Sequence, residues 1–332
     1  MDFEFSGEQE QLRSTARAVL LQYCSSERIR RAIDSPGPFD RDLWGQMHDL
    51  GWFALGPAAV TDGADGGFVE ATILLEETGR ALAPVPYLPT LLAIWALQRA
   101  GETGLADDLA SGRRVGAAVW QRQLGVGAPD ADLVIRATDD GVSLLDPCSV
   151  AAEPAMDRTR TVGWAPESGR LIGDPGDAQD MLDQAAVGTS ALLLGGAARV
   201  LEMATAYARE REQFGRVIGS FQAVKHHCAN MLIDVEAMRS ILYWAAWCVE
   251  AGHPDASLAA SSAKAWCAAA GPRVIATGLQ VHGGIGFTWE HDLHLFLKRA
   301  NLDEVSFGGT RFHQDRAAEL LKSRLRADDR LI

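Results

Sequence analysis

Between Ala208 and Gly219 the chain reads Ala-Arg-Glu-Arg-Glu-Gln-Phe-Gly-Arg-Val-Ile-Gly, which gathers three arginines, an aromatic and two glycines in one short segment. Guanidinium groups donate paired hydrogen bonds to phosphate oxygens, and glycine lets a backbone approach a ligand closely. The same composition also describes a solvated charged turn closed by a capping glycine. A second cluster is Gln280-Val281-His282-Gly283-Gly284-Ile285-Gly286-Phe287. It follows no strand, which excludes the dinucleotide-fold fingerprint, and its glycines would serve equally as a helix cap. His226-His227 and His291-x-x-His294 lack a third ligand at metal-binding spacing and read as helix-face histidines. Trp44, Trp52, Trp95, Trp244, Trp247 and Trp266 are scattered, as core or helix-interface residues are, rather than gathered into a cage.

Both clusters interrupt strong helical patterns. Leu193, Ala197, Val200, Ala204 and Tyr207 lead into the first. Phe221, Val224, Cys228, Met231, Val235, Met238, Leu242, Ala245 and Val249 follow it in a sustained three–four alternation, ended by Gly252 and Pro254. Asp255 to Ala270 begins a third helix and Arg311 to Arg326 supplies the last, so residues 177–332 predict a four-helix bundle. Residues 1–112 predict a helical domain. Ser6-Gly7-Glu8-Gln9 has the form of a capping box ahead of Leu12, Ala16, Val19, Leu20 and Tyr23. A break from Ser35 to Asp40 precedes a helix with Leu43, Trp44, Met47 and Leu50, stopped by Gly51. A loop from Pro57 to Gly67 then leads to helices over Glu70–Leu82 and Leu91–Ala100. Between these parts, residues 113–176 hold short apolar runs at Val115–Trp120, Leu133–Ala137 and Val142–Leu145. Asp140-Gly141 is a hairpin signal between the last two, and Gly173 to Gly176 has the composition of an exit linker. The fold class is therefore mostly α with a small middle β domain, the latter marginal if it stood alone.

The 332 residues carry a net charge of −13, with the acids scattered, a balance opposed to a nucleic-acid partner. Hydrophobic residues make up 47% and charged residues 23%, as in a globular chain. No apolar run approaches the roughly 20 residues needed to span a bilayer, and Met1-Asp2-Phe3-Glu4-Phe5 is unlike a signal peptide. No membrane association and a cytoplasmic location are expected. Five widely spaced cysteines form no Cys-x-x-Cys pair, so neither a disulfide framework nor a zinc site is indicated.

Taken together, Tyr207-Ala208-x-Glu210-Arg211-x-Gln213-Phe214-Gly215-Arg216-x-Ile218-Gly219-x-Phe221-Gln222, two long helices and Gln280-x-x-Gly283-Gly284-x-Gly286-Phe287 resemble the C-terminal domain of the acyl-CoA dehydrogenase family. The resemblance extends more loosely through Leu50-Gly51-Trp52, Gly66-Gly67 and Glu76-Glu77-Thr78-Gly79-Arg80-Ala81-Leu82, and through the order of the domains. It implies a bundle that reaches over to the FAD of a neighbouring subunit. Arg211 would then face the pyrophosphate and Phe214 the adenosine half, with Gln280, Gly283 and Gly284 along the diphosphate and ribose. Thr310 joins this cofactor-binding set through the run Phe307-Gly308-Gly309-Thr310.

The same resemblance exposes two departures. Family members carry a catalytic Glu in a Tyr-Glu-Gly-Thr run, where this chain has Gly308, or near the start of the first bundle helix, where Gln184 to Val187 offers no carboxylate. Asp183, Asp303 and Glu304 lie nearby but off register. The flavin-cradling Thr-Glu-Pro-x-x-Gly-Ser-Asp and Trp-Ile-Thr runs are also missing; Ala151-Ala152-Glu153-Pro154 matches only superficially. The implied function is a subunit of a heteromeric, FAD-dependent acyl-CoA dehydrogenase. A paralogous partner would supply the catalytic Glu, and the substrate would be an acyl-CoA thioester, with steroid side chains as the analogy. A self-sufficient homomer with an off-register base and a non-catalytic scaffold subunit remain as alternatives.

Overall fold

The computed structural model describes residues 4–35, 39–57, 67–146 and 148–326. Most of the Pro57–Gly67 loop, part of the Ser35–Asp40 break, Met1–Phe3 and Gly66 fall outside them. The N-terminal helices are α1 (Gly7–Tyr23), α2 (Ser26–Asp34), α3 (Arg41–Asp49), α4 (Phe68–Arg80), α5 (Tyr87–Arg99) and α6 (Thr103–Ala110). The capping box that opens α1 is present in both directions: Ser6 accepts from the Gln9 amide, and Gln9 reaches back to the Ser6 amide. The α2 helix is an addition to the expected pattern, begun by a Ser25 cap after the break at Cys24.

Six strands follow: β1 (Gly116–Trp120), β2 (Leu124–Val126), β3 (Leu133–Thr138), β4 (Gly141–Leu145), β5 (Val162–Trp164) and β6 (Arg170–Gly173). They form a mixed sheet in the order β1-β3-β4-β6, with β1 parallel to β3, and a separate antiparallel β2-β5 ribbon. Alternation along β1 and β3 splits the sheet's side chains between two cores. Ala117, Val119 and Val134 fill a small core of the β region, whereas Ala118, Trp120, Leu133, Ile135 and Ala137 join the main helical core. The hairpin between β3 and β4 pairs Thr138 with Gly141, so the turn is Asp139-Asp140 and Gly141 belongs to β4. Glycine is required there because φ is +129° and a side chain would run into the Gly173 carbonyl.

The C-terminal part comprises α7 (Pro175–Glu210), the short strands β7 (Glu212–Gln213) and β8 (Arg216–Val217), α8 (Gln222–Glu250), α9 (Ala256–His282), α10 (Leu293–Val305) and α11 (Thr310–Arg326). The first of these starts at Pro175, two residues before the expected boundary at residue 177, because Asp174 and Asp177 cap each other's amides. Of the residues expected to be a linker, Gly173 ends β6, Asp174 caps the helix, and Pro175 and Gly176 open its first turn. Although α7 is long and apolar enough to cross a membrane, most of it is buried inside this protein. Gly79 and Gly195 let α4 and α7 touch backbone to backbone: a side chain on either would strike the Leu192 or Glu76 carbonyl. Contacts from Leu193 to Gly271 and from Val200 to Gly278 advance together along α7 and α9, so these two helices run parallel and finish at the same end. The α8 helix runs back in the opposite sense and packs against both.

A buried set of four charges joins the three parts. Arg160 pairs with Asp157 at 3.2 Å and Asp303 at 2.8 Å, and Arg299 lies 3.5 Å from Asp157. Arg299 also donates to the Ala83 carbonyl at 3.0 Å. Burial pushes the Asp157 carboxyl up, but Arg299 and Arg160 outweigh it and hold the group below its usual range.

Candidate functional site

The arginine segment is a tight β-hairpin standing on the end of α7. Arg211 caps that helix through its amide to the Tyr207 carbonyl, and its own carbonyl accepts from Ile218 at 2.7 Å. Glu212 pairs with Val217 and Gln213 with Arg216, leaving Phe214-Gly215 as a two-residue turn with φ values of +55° and +76°. A bulky residue at positive φ is strained by about 1–2 kcal/mol. The hairpin pairing imposes that conformation on Phe214, while its side chain is left 92% exposed. Arg216 sits 4.1 Å above the ring of Phe221, whose edge meets Phe214 at 6.1 Å. The Arg211 guanidinium is exposed and has no hydrogen-bond or ion-pair partner among the described residues.

The glycine segment closes α9. Gly283 has φ +65° and ends the helix, and residues Gly283–Phe287 form a short 3₁₀ turn. The three glycines differ in what they require. Gly283 needs its backbone conformation, and a Cβ added at Gly286 would stand 3.2 Å from the Leu279 carbonyl oxygen. Gly284 needs neither, since its φ is ordinary and an added Cβ would meet nothing within 4 Å. Gln280, on the last turn of α9, is exposed beside this opening.

Because α7 and α9 are parallel, the hairpin and the glycine turn meet at one end of the bundle. Tyr207 and His282 stack there, with ring centroids 4.5 Å apart and planes 19° from parallel. Arg211, Phe214, Gln280, Gly283 and Gly284 therefore share one end. Thr310 does not join them: it begins α11, whose Arg316 meets Ser261 and Asp183 near the other end of α9. From Lys264, which donates to the Asp303 and Glu304 carbonyls ahead of Thr310, to Gln280 is about 24 Å along the helix at 1.5 Å per residue. One ligand bound by the shared end does not reach Thr310 of the same chain.

The expected base positions have a consistent geometry. Gly308 has φ +96°, and a side chain would run into Phe312 and lie 3.0 Å from His313 Nε2, so the turn is built for glycine. Asp183 has both carboxylate oxygens engaged, one by Arg316 and one by Ser257, each at 2.5 Å. Burial raises its pKa against the pull of Arg316. Asp303 is sealed with Arg160, and burial raises its pKa too. Glu304 is half-buried, with no hydrogen-bond or ion-pair partner for its carboxylate among the described residues. No cluster of three metal-ligating side chains occurs among the described residues.

A cleft of about 320 Å³ opens where α5, β4, β6 and the start of α7 meet, lined by Trp95, Arg99, Met181 and the carboxylates of Asp177, Asp180 and Asp183. Arg99 spans Asp177 at 2.9 Å and Asp180 at 3.1 Å, so the one arginine in the lining is already committed. An anionic thioester carrier meets net negative charge here.

Residues 176–321 match the acyl-CoA dehydrogenase C-terminal domain, and residues 6–107 match the acyl-CoA dehydrogenase N-terminal domain. The chain belongs to the acyl-CoA dehydrogenase family. Among its relatives, acyl-CoA dehydrogenase IpdE2 of Mycolicibacterium smegmatis is 34% identical over 298 residues, covering 89% of this chain and 93% of that protein. The ChsE4-ChsE5 complex from Mycobacterium tuberculosis contains a chain similar in structure, with a TM-score of 0.86, 28% identity, and coverage of 97% and 99%. A variant of the Tcur3481-Tcur3483 steroid ACAD gives a TM-score of 0.87 at 26% identity, covering 96% and 99%. The acyl-CoA dehydrogenase fold, with N-terminal helices, a small sheet region and a C-terminal helical domain, is that of this chain, and its enzyme class is acyl-CoA dehydrogenase.

Sequence reasoning missed the Tyr207–His282 stack and the four-charge set. The residues of each lie far apart along the chain, and neither has a local spacing signal.

Proposed function

We propose that this chain is one subunit of a heteromeric acyl-CoA dehydrogenase and supplies the adenosine-diphosphate half of an FAD site, while a paralogous subunit supplies the flavin-ring cradle and the catalytic Glu. The observation that carries the proposal is Gly284: neither backbone conformation nor intrachain packing asks for glycine, and the space in front of it is open. That opening fits a diphosphate approached by main-chain amides, and the uncommitted Arg211 beside it supplies the charge. FAD, when bound, accepts the hydride in α,β-dehydrogenation of the thioester. This chain's residues bind and orient its nucleotide end; Phe214 offers an exposed ring for the adenosine. Gly308 and the committed Asp183 support a base on the partner.

The expected apolar seam of α8 also supports a partner. Met231, Val235, Met238, Leu242 and Ala245 are buried in the bundle, but Phe221, Val224 and Cys228 of the same stripe are only half-covered. Leu232 and Ile233 beside them are 51% and 65% exposed. The ChsE4-ChsE5 and Tcur3481-Tcur3483 relatives are two-component assemblies by name, and the second is called a steroid ACAD. A CoA thioester of a bulky steroid-derived acid is the substrate class we assign to the complex.

Purification alone and with the paralogue tests this. The complex is expected to be yellow and the single chain colourless. Arg211→Ala is expected to weaken FAD binding by roughly 10- to 150-fold, the value of about 1.5–3 kcal/mol for hydrogen bonds to a charged group. Tight flavin on the single chain would sink the heteromer. A colourless complex whose activity ignores that substitution would make this chain a scaffold.

A further inference from the structure

We infer that His282 is a positioning residue: its ring, stacked on Tyr207, ties the arginine hairpin to the glycine turn so that the two segments present a single surface to the nucleotide end of the cofactor. This rests on the shared-site reading above and names the element that makes two separate segments act together.

Close contacts at Gly271 and Gly278 align the two helices further back, and the stack is the aromatic contact that links their last turns, where the two segments begin. Gly283 and Gly284 carry no side chains, and no neighbour lies within 4 Å of where a Cβ would stand on either. Their position therefore depends on the residue before them. His282 is 6% exposed, and its Nδ1 lies 2.8 Å from the Gly278 carbonyl, one turn back in α9. That contact fixes the ring orientation, with Nδ1–H donating. Tyr207 stands one turn before the end of α7, directly ahead of Arg211, so the stack joins the last turn of each parallel helix.

Electrostatics makes the alignment matter. Two helix C-termini side by side present partial negative charge toward the same end of the bundle, which is unfavourable for a diphosphate. The guanidinium must reach over the glycine turn to reverse that field, and a shift between the helices would separate donor from cradle. The titratable groups around the stack are consistent with a neutral ring. Burial lowers the His282 pKa, the bond to the Gly278 carbonyl acts in the other direction, and His291, at 5.0 Å across the turn that follows, adds to the lowering. Burial also lowers the His291 pKa, where Asp292 acts in the other direction and Arg30 of α2 adds to the lowering. Tyr207 faces the ring from α7.

The test uses the flavin-containing complex with four variants of this chain: His282→Leu, His282→Phe, Tyr207→Leu and the double Tyr207→Leu/His282→Leu. FAD affinity is read by flavin fluorescence. Amide hydrogen exchange over residues 283–287 is read in the flavin-free complex. Loss of one stacked aromatic pair corresponds to about a two- to twelvefold effect, so His282→Leu is expected to weaken FAD by roughly fivefold and speed exchange in the glycine turn. His282→Phe keeps a stacking ring but loses the Nδ1–H bond to Gly278, and is expected to recover most of both losses seen in His282→Leu. Tyr207→Leu should match His282→Leu, and the double variant should be no worse than either, as for two halves of one contact. A lower melting temperature with unchanged FAD affinity and unchanged exchange would overturn the inference, as would full additivity in the double variant. Arg211→Ala is the control for the underlying reading. If it leaves FAD affinity intact, the shared site fails, and the exchange data still decide whether the stack holds the turn.

Discussion

Gly284 separates a ligand-facing glycine from a structural one, and replacing it is the sharpest probe of the proposed site. Gly284→Ala and Gly284→Val each place a Cβ where the chain itself has nothing within 4 Å, at a φ that L residues adopt freely. In the isolated chain, Gly284→Ala is expected to be neutral or slightly stabilising, by up to about 0.4–1 kcal/mol, since it reduces the freedom of the unfolded chain. In the complex the same atoms fill the approach to the main-chain amides. Losing one charge-assisted hydrogen bond there costs about 1.5–3 kcal/mol, which is roughly 10- to 150-fold in FAD affinity. The bulkier valine should lie at the upper end. The assay pairs urea unfolding of the single chain with flavin titration of the complex. Gly286→Ala serves as a contrast, because its Cβ would press on the Leu279 carbonyl and destabilise the fold itself. If Gly284→Val leaves both stability and flavin affinity unchanged, the opening faces no ligand and the reasoning is refuted.

Other substitutions reach the parts of the chain away from that opening. Gly308→Glu restores a carboxylate at the family's base position, yet is expected to yield no gain in dehydrogenase turnover and to lose at least about 2 kcal/mol of stability, because φ is +96° and Phe312 fills the space; a gain in turnover by the complex would contradict this. Asp303→Asn leaves Arg160 and Arg299 with one buried carboxylate between them and should cost about 3–5 kcal/mol by urea denaturation, with a cost below about 1 kcal/mol refuting the latch. His313 is held neutral, its pKa lowered by burial to about 3, with Nε2 3.0 Å from the Phe307 carbonyl. The unfolded chain binds the extra proton first, so its contribution is complete above pH 6.5 and is lost as pH falls from there toward 3. Wild type should lose up to about 1.4 kcal/mol per pH unit more than His313→Gln between pH 6 and 4, and equal slopes would argue against a neutral buried ring.

How much of this was legible depended on whether the signal was periodic or tertiary. The Ser6–Gln9 box and the alternation from Met231 to Val249 are local patterns, and the helices stand where those patterns put them. Pro175-Gly176 was misread because both residues break helices in the interior, whereas proline in the first turn favours one once Asp174 caps it. The β2, β5 and β6 strands are only three or four residues long and offer too few positions for alternation to register. The α10 helix escaped notice because His294, Arg299 and Asp303 occupy its buried face, and charge on a helix face ordinarily signals solvent. Arg299 and Asp303 make the buried set with Asp157 and Arg160. The arginine and glycine segments were legible as chemistry from residue type alone. Their meeting was not, since it follows from α7 and α9 being parallel, and that follows from close contacts at Gly271 and Gly278.

The distribution of charge explains why such a chain would need a partner. Its own interdomain space is occupied twice: the four buried charges lock the β region onto α10, and the neighbouring cleft presents Asp177, Asp180 and Asp183 with a single committed arginine. A CoA thioester brings several phosphate charges and would find no free cation in that cleft. Arg211, with no partner among the described residues, stands at the far end of the bundle instead, on a hairpin strained at Phe214, whose ring is 92% exposed. Strain of that kind persists only where the surrounding structure or a bound group compensates it. In the proposed complex, FAD would bridge two chains, and its binding free energy would stabilise the assembly as much as the cofactor site. Arg211 and Gly284 would then act on subunit association as well as on flavin, so removing either should loosen the heteromer at flavin concentrations near the dissociation constant.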